Sequence, residues 1–179
     1  MFKLKGFSFV PLALVAIALA GCEDRNGPPS INSDCGLLGP SSGNVSGAVT
    51  ADLNGCSIFT VATGAGPTIT TIGLSHGSGV TATHALSLGR QGTRPGPGTY
   101  TIGTAAGNFT GAFTFDGPGS GDRSFALTGG TVTITASSST TLTGSLSGVT
   151  AMETATPANT ITINASFSAR CTVTSSTGC

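Results

Sequence analysis

Thr160-Ile161-Thr162-Ile163-Asn164-Ala165-Ser166-Phe167-Ser168-Ala169-Arg170-Cys171-Thr172-Val173 decides the fold class of this chain. Every second residue, from Ile161 to Val173, is apolar or cysteine, and the residues between them are polar. A period of two is that of a strand with one face on a core and one in water. The same alternation recurs upstream. It places Val45, Val49, Ala51 and Leu53 inward on a first strand, Val80, Ala82, Leu86 and Leu88 on another, and Phe109, Phe113 and Phe115 on a third. Val132 and Ile134, then Leu142 and Leu146, mark two more. Between these runs sit turn signals such as Gly77-Ser78-Gly79, Arg94-Pro95-Gly96-Pro97-Gly98 and Asp116-Gly117-Pro118-Gly119-Ser120-Gly121. About nine to ten short strands result, with no room for the helical crossovers of a parallel sheet. The expected fold is all-β, an antiparallel β-sandwich, with a calycin-like β-barrel as the alternative. The 29 threonines fall mostly at outward strand positions, where the β-branched side chain favours extended backbone and the hydroxyl meets water.

The chain opens differently. Lys3 and Lys5 precede an apolar stretch from Phe7 to Ala20, which ends in Leu19-Ala20-Gly21-Cys22. This is the three-part layout of an export signal, and fourteen apolar residues are short for a spanning helix. Leu19 to Cys22 resembles the lipobox of bacterial lipoproteins. The resemblance implies cleavage before Cys22, lipidation of its thiol and attachment to a membrane through that anchor, with the protein facing the periplasm or the exterior. Three segments follow: a signal peptide over 1–21, the lipidated cysteine with a flexible linker rich in Gly, Pro, Ser and Asn over 22–44, and an antiparallel β domain over 45–179.

Without residues 1–21 the chain carries five arginines, no lysine and seven acids, a net charge of minus two. Arg25, Arg90, Arg94, Arg123 and Arg170 are scattered, so neither a nucleic-acid stripe nor a polybasic lipid-binding patch is expected. Cys35, Cys56, Cys171 and Cys179 remain after Cys22, an even number that favours disulfides outside the cytoplasm. Three pairings are open, and no pair has zinc-knuckle spacing.

Gly98-Thr99-Tyr100-Thr101-Ile102, Gly129-Gly130-Thr131-Val132-Thr133-Ile134 and Leu142-Thr143-Gly144-Ser145-Leu146, with an early Asn54-Gly55 turn, give the body a second likeness. Over roughly residues 45 to 173 it resembles small β-sandwich domains of bacterial lipoproteins whose function is unknown. A Trp often present after the first turn there is absent here, where Cys56 stands nearby. That resemblance implies no catalytic residue.

Chemistry-bearing residues are few. His76 and His84 fall in phase with apolar neighbours. A tight turn at Gly77-Ser78-Gly79 would put His76 opposite Val80 and the two rings about 13 Å apart, too far for one ion. Both are read as structural or rim histidines, and neither metal nor other cofactor is expected. Asp116 and Asp122 bracket a glycine-rich loop and offer two acids for calcium, few for tight binding; a polar hairpin tip is the plainer reading. Asp52 is expected to point outward, Asp34 to lie in the linker and Glu153 in a loop from Ala151 to Asn159. Gly39-x-Ser41-x-Gly43 matches a nucleophile elbow by letters only, since no strand before it or helix after it is in sight. No Trp and a single Tyr, Tyr100, weaken a sugar platform, and three Asn-x-Ser/Thr triplets are read as coincidence. Arg90 and Arg94, on a long loop, join Asp116 and Asp122 as ligand-loop candidates for a protein or small molecule. The reading is a membrane-anchored extracytoplasmic lipoprotein acting as a non-catalytic binding or structural module. The alternatives are an enzyme with a loop-built site and a barrel holding a small apolar ligand.

Overall fold

The structure is a computed structural model that describes residues 35–63, 66–76, 83–117 and 121–172. Ten strands lie among them: β1 (Gly39–Gly47), β2 (Ala51–Asp52), β3 (Gly55–Ala62), β4 (Ile69–His76), β5 (His84–Gln91), β6 (Gly98–Thr101), β7 (Phe109–Gly117), β8 (Gly121–Ser137), β9 (Thr141–Glu153) and β10 (Thr160–Cys171). The stretch read as a signal peptide, Cys22, most of the stretch read as a linker, Val80, Ala82, Val173 and Cys179 lie outside the described residues.

Antiparallel neighbours follow the order β10-β9-β8-β7-β5-β4-β3-β1, and β1 then returns to β10. The sheet therefore closes on itself as an eight-stranded barrel, with β2 paired to β1 and β6 to β8 as additions. Closure is the barrel alternative rather than two stacked sheets, and it removes the free edges that an open sheet presents. The closing seam is sealed by β1, which pairs with β10 from Ser41↔Phe167 to Gly47↔Ile161 and with β3 from Gly39↔Ser57 to Ser41↔Gly55. Below it β10 touches β3 in a short parallel pairing at Arg170↔Ile58.

The first strand begins at Gly39, inside the stretch read as linker. Its glycines are there for space. A Cβ on Gly39 would stand 1.6 Å from the Ser168 carbonyl oxygen, and one on Gly43 would stand 2.5 Å from the Ala165 Cβ. Only a bare backbone approaches β10 this closely. Ser41, the would-be nucleophile, is 3% exposed in mid-strand and donates its hydroxyl to the Leu53 carbonyl at 3.0 Å.

The alternation read from sequence holds inside the barrel. Ile161, Ile163, Ala165, Phe167 and Ala169 point in, as do Val45, Leu53, Leu86, Leu88, Val132, Ile134, Leu142 and Leu146. Phe59, Phe109, Phe113 and Phe125 are fully buried at the centre, the filling an eight-stranded barrel calls for. Threonine pairs cover the outside, with Thr99 and Thr133 hydroxyls 3.3 Å apart and those of Thr128 and Thr150 at 3.1 Å. The long β8 and β9 bend around the wall through register shifts at Leu127/Gly129, Gly129/Thr131 and Ile134/Ala136.

Cys35 and Cys56 form a disulfide that pins the chain ahead of β1 to the start of β3. Cys171 is disulfide-bonded as well. Near the first bond, Leu38, Cys56, Ile58, Gly73 and Ala85 line an apolar cleft of about 200 Å³. Ile58, Gly73 and Ala85 alternate with the core residues of β3 to β5, so the cleft lies on the outer wall.

Two stability outcomes follow. Phe113→Ala empties the middle of the barrel and is expected to cost about 3–5 kcal/mol in urea unfolding. Replacing Cys35 and Cys56 together by Ser opens a loop of sequence separation 21 and is expected to cost about 3 kcal/mol in the same assay.

Candidate functional site

The polar chemistry of the described residues gathers at the two ends of the barrel, because each in-pointing strand position that runs past the core reaches a rim. One rim collects the end of β4, the start of β5, the end of β7, the start of β8 and the end of β9. The other collects the end of β5 with the β6 region.

At the first rim the histidines meet. The register of β4 and β5 pairs Ser75 with Ala85 and Leu74 with Leu86, which carries His76 opposite His84. A tight turn at Gly77 to Gly79 would have placed Val80 there; the connection is longer by four residues, and residues 77–82 lie outside the described residues. The ring centroids are 4.8 Å apart with planes tilted by 36°, in place of the expected 13 Å. His84 stacks in turn on Phe115 at 5.3 Å, its partner across β5 and β7.

Asp52 completes the group. Its Oδ1 lies 2.6 Å from His76 Nδ1 and accepts the Asn54 backbone N–H at 3.0 Å, so the carboxylate engages the rim while its side chain stays solvent-exposed, as expected. Burial would raise the Asp52 carboxyl, but the Asn54 N–H and the bond and charge of His76 outweigh it and hold it below its ordinary value. An ionised carboxylate only accepts, so His76 Nδ1 carries the proton and donates it to Asp52. Burial, then the His76 charge, push His84 below the usual imidazole value, against the pull of Thr83 and Asp52. The His84 Nδ1 is buried and has no hydrogen-bond partner, while its Nε2 sits 3.4 Å from the Thr83 hydroxyl.

Across the same rim stands an ion pair. Arg123 Nε and Nη2 donate to the two Glu153 oxygens at 2.7 and 2.8 Å, a bidentate fork, and Nη1 donates to the Ala48 carbonyl at 3.1 Å. Asn159 Nδ2 donates to Glu153 at 2.6 Å, and the guanidinium lies 5.1 Å from the Phe125 ring. Glu153 is thus no loop residue: it ends β9, points inward after Val149 and Ala151, and its side chain is 8% exposed. The hydrogen bonds from Arg123 and then Asn159, partly opposed by burial, bring its carboxyl down to about 2. Arg123 is raised by its Glu153 hydrogen bonds.

Arg90, expected on a loop, lies instead on β5, where it continues the inward series of Leu86 and Leu88 and closes the opposite rim. Its Nε donates to Gly107 at 2.8 Å and Nη1 to Thr93 at 2.7 Å, and its guanidinium lies 5.0 Å from the Tyr100 ring. The carbonyls it serves are those of the loops around it, so the structure uses Arg90 as a strut. Arg94 is half-buried nearby. Asp116 and Asp122 are exposed and directly opposite each other across β7 and β8. They edge a shallow cleft of about 290 Å³ with Thr83, Phe115 and Arg123. Residues 118–120 of their loop lie outside the described residues. Among the described residues no group of three or more His, Cys, Asp and Glu is gathered for a metal ion.

The Glu153 carboxyl sets a pH dependence. A carboxyl lowered by folding stabilises the native state above its ordinary value of 4.5 and gives that stability up as acid protonates it toward about 2. Stability is therefore expected to fall between pH 4.5 and 2. Glu153→Gln is expected to unfold at lower urea at pH 7 and to show a flatter acid limb; an unchanged limb would assign the acid sensitivity elsewhere. In comparisons with known proteins, no family, no curated protein and no solved structure matches this chain.

Proposed function

We propose that this chain is a lipid-anchored protein of the bacterial cell envelope, held to a membrane through Cys22 and acting outside the cytoplasm as a non-catalytic binding or structural module. The observation that carries the reading is the Cys35–Cys56 disulfide, built into the base of the barrel wall. Such bonds persist in oxidising compartments, in keeping with the export signal and the Leu19-Ala20-Gly21-Cys22 sequence. Only 12 residues separate Cys22 from Cys35. Fully extended they reach about 40–45 Å, so an anchored barrel works close to the membrane surface.

The packed interior counts against a small apolar ligand held inside the barrel, since phenylalanines occupy that space. The enzyme alternative draws on one observation, the Asp52–His76 pair, in which a carboxylate orients an imidazole as in acid–base sites. Among the described residues His76 has no hydroxyl or thiol partner to activate.

Intact mass of the protein from its native membrane fraction tests the reading. Acyl chains on a chain beginning at Cys22, and a gain of hydrogens on reduction, are the expected result. A mass without lipid would make it a freely secreted protein.

A further inference from the structure

We propose that His76 and His84 form a binding site for a divalent transition-metal ion of the Cu2+ or Zn2+ kind, with Asp52 orienting His76 from behind. Such a site would bind its ion with or without a lipid anchor on the chain.

With metal–nitrogen bonds of about 2.0–2.1 Å, an ion stands roughly 3.2 Å from the centroid of each imidazole that holds it. Two rings sharing the ion at square or tetrahedral angles then lie about 4.5–5.2 Å apart. The observed separation is 4.8 Å. The two residues are held there by the ladder on both sides, since they continue the Leu74↔Leu86 and Ser75↔Ala85 pairs of one hairpin.

The nitrogens are also suitably committed. In its neutral form His76 donates its Nδ1–H to Asp52 at 2.6 Å, which leaves Nε2 with the lone pair. A histidine that ligates through one nitrogen while donating the other to a carboxylate is the usual supported ligand, because the carboxylate fixes the tautomer and raises basicity. His84 has a buried Nδ1 that makes no hydrogen bond of good geometry, the Thr83 backbone being its near neighbour, and such a polar atom costs free energy unless something occupies it. An ion would satisfy it. The Asp52 carboxylate adds negative charge beside the site, and the rim is open to solvent, with the His76 side chain 39% and Asp52 45% exposed. Two imidazoles and water suit Cu2+ best among first-row ions, with Zn2+ next.

The chain has only two histidines, so the wild-type protein reports on the site directly. Cu2+ titrated into the full chain, purified without a histidine tag, is expected to bind one ion per molecule. Both histidine ring resonances should broaden together in NMR, and electron paramagnetic resonance should show coupling to two imidazole nitrogens. His84→Asn and His76→Asn are each expected to weaken binding by tenfold or more. Asp52→Asn should weaken it by about 10–100-fold while keeping the two-nitrogen signature. Broadening of one ring or neither, or undiminished binding in folded His84→Asn, overturns the proposal.

Discussion

Closure by β1 is the constraint on which the rest of this structure depends. An open sheet of these strands would leave β3 and β10 with unpaired backbone groups along their length. One glycine- and serine-rich strand bridges the two edges, pairing with β10 over seven residues and with β3 over three, and brings β10 into direct pairing with β3 at Ile58 and Phe59. Closure also defines an inside. Once the wall is continuous, each in-pointing residue has nowhere to go but the core or a rim, and polar groups that fall at in-pointing positions are forced together at the two ends.

Those ends are handled by the same device. Arg123 at one rim and Arg90 at the other each lie near an aromatic ring, Phe125 and Tyr100, and donate to backbone carbonyls across the opening. The guanidinium suits this task because its flat face stacks on a ring while its edge supplies several donors. Two of the chain's five arginines are thus spent on holding the barrel shut. The histidine group sits beside one of these plugs, on rigid strand ends, which is the setting in which a site keeps its geometry.

Most of the core was legible in the sequence, because a period of two reports directly on a half-buried strand and the in-pointing residues from Val45 to Ala169 follow it. Three features were not, for physical reasons. The part of β1 ahead of Val45 reads as a linker since Gly39, Gly43 and Ser41 lack the bulk that marks a strand, and the smallness of the glycines answers to β10, a partner more than a hundred residues away. The histidine pair depends on the length of one hairpin connection, where a glycine-rich run suggests a tight turn and a shift of four residues changes a 13 Å separation into contact. Glu153 reads as loop because a charged residue ends its strand, and its burial makes sense only with Arg123 across the rim. Sandwich and barrel share their alternation, so closure itself leaves no mark in any single strand.

The Cys35–Cys56 bond has a mechanical consequence. A pull on the chain upstream of Cys35 would, in a reduced protein, reach β1 end-on and unzip it from β3 and β10 one hydrogen bond at a time. With the bond in place the load passes through sulfur into β3, in the middle of the wall, and Gly36 to Leu38 stay slack. The strand that closes the barrel is thereby kept out of the line of force. Under such a pull the protein would open only by tearing a strand that has neighbours on both sides.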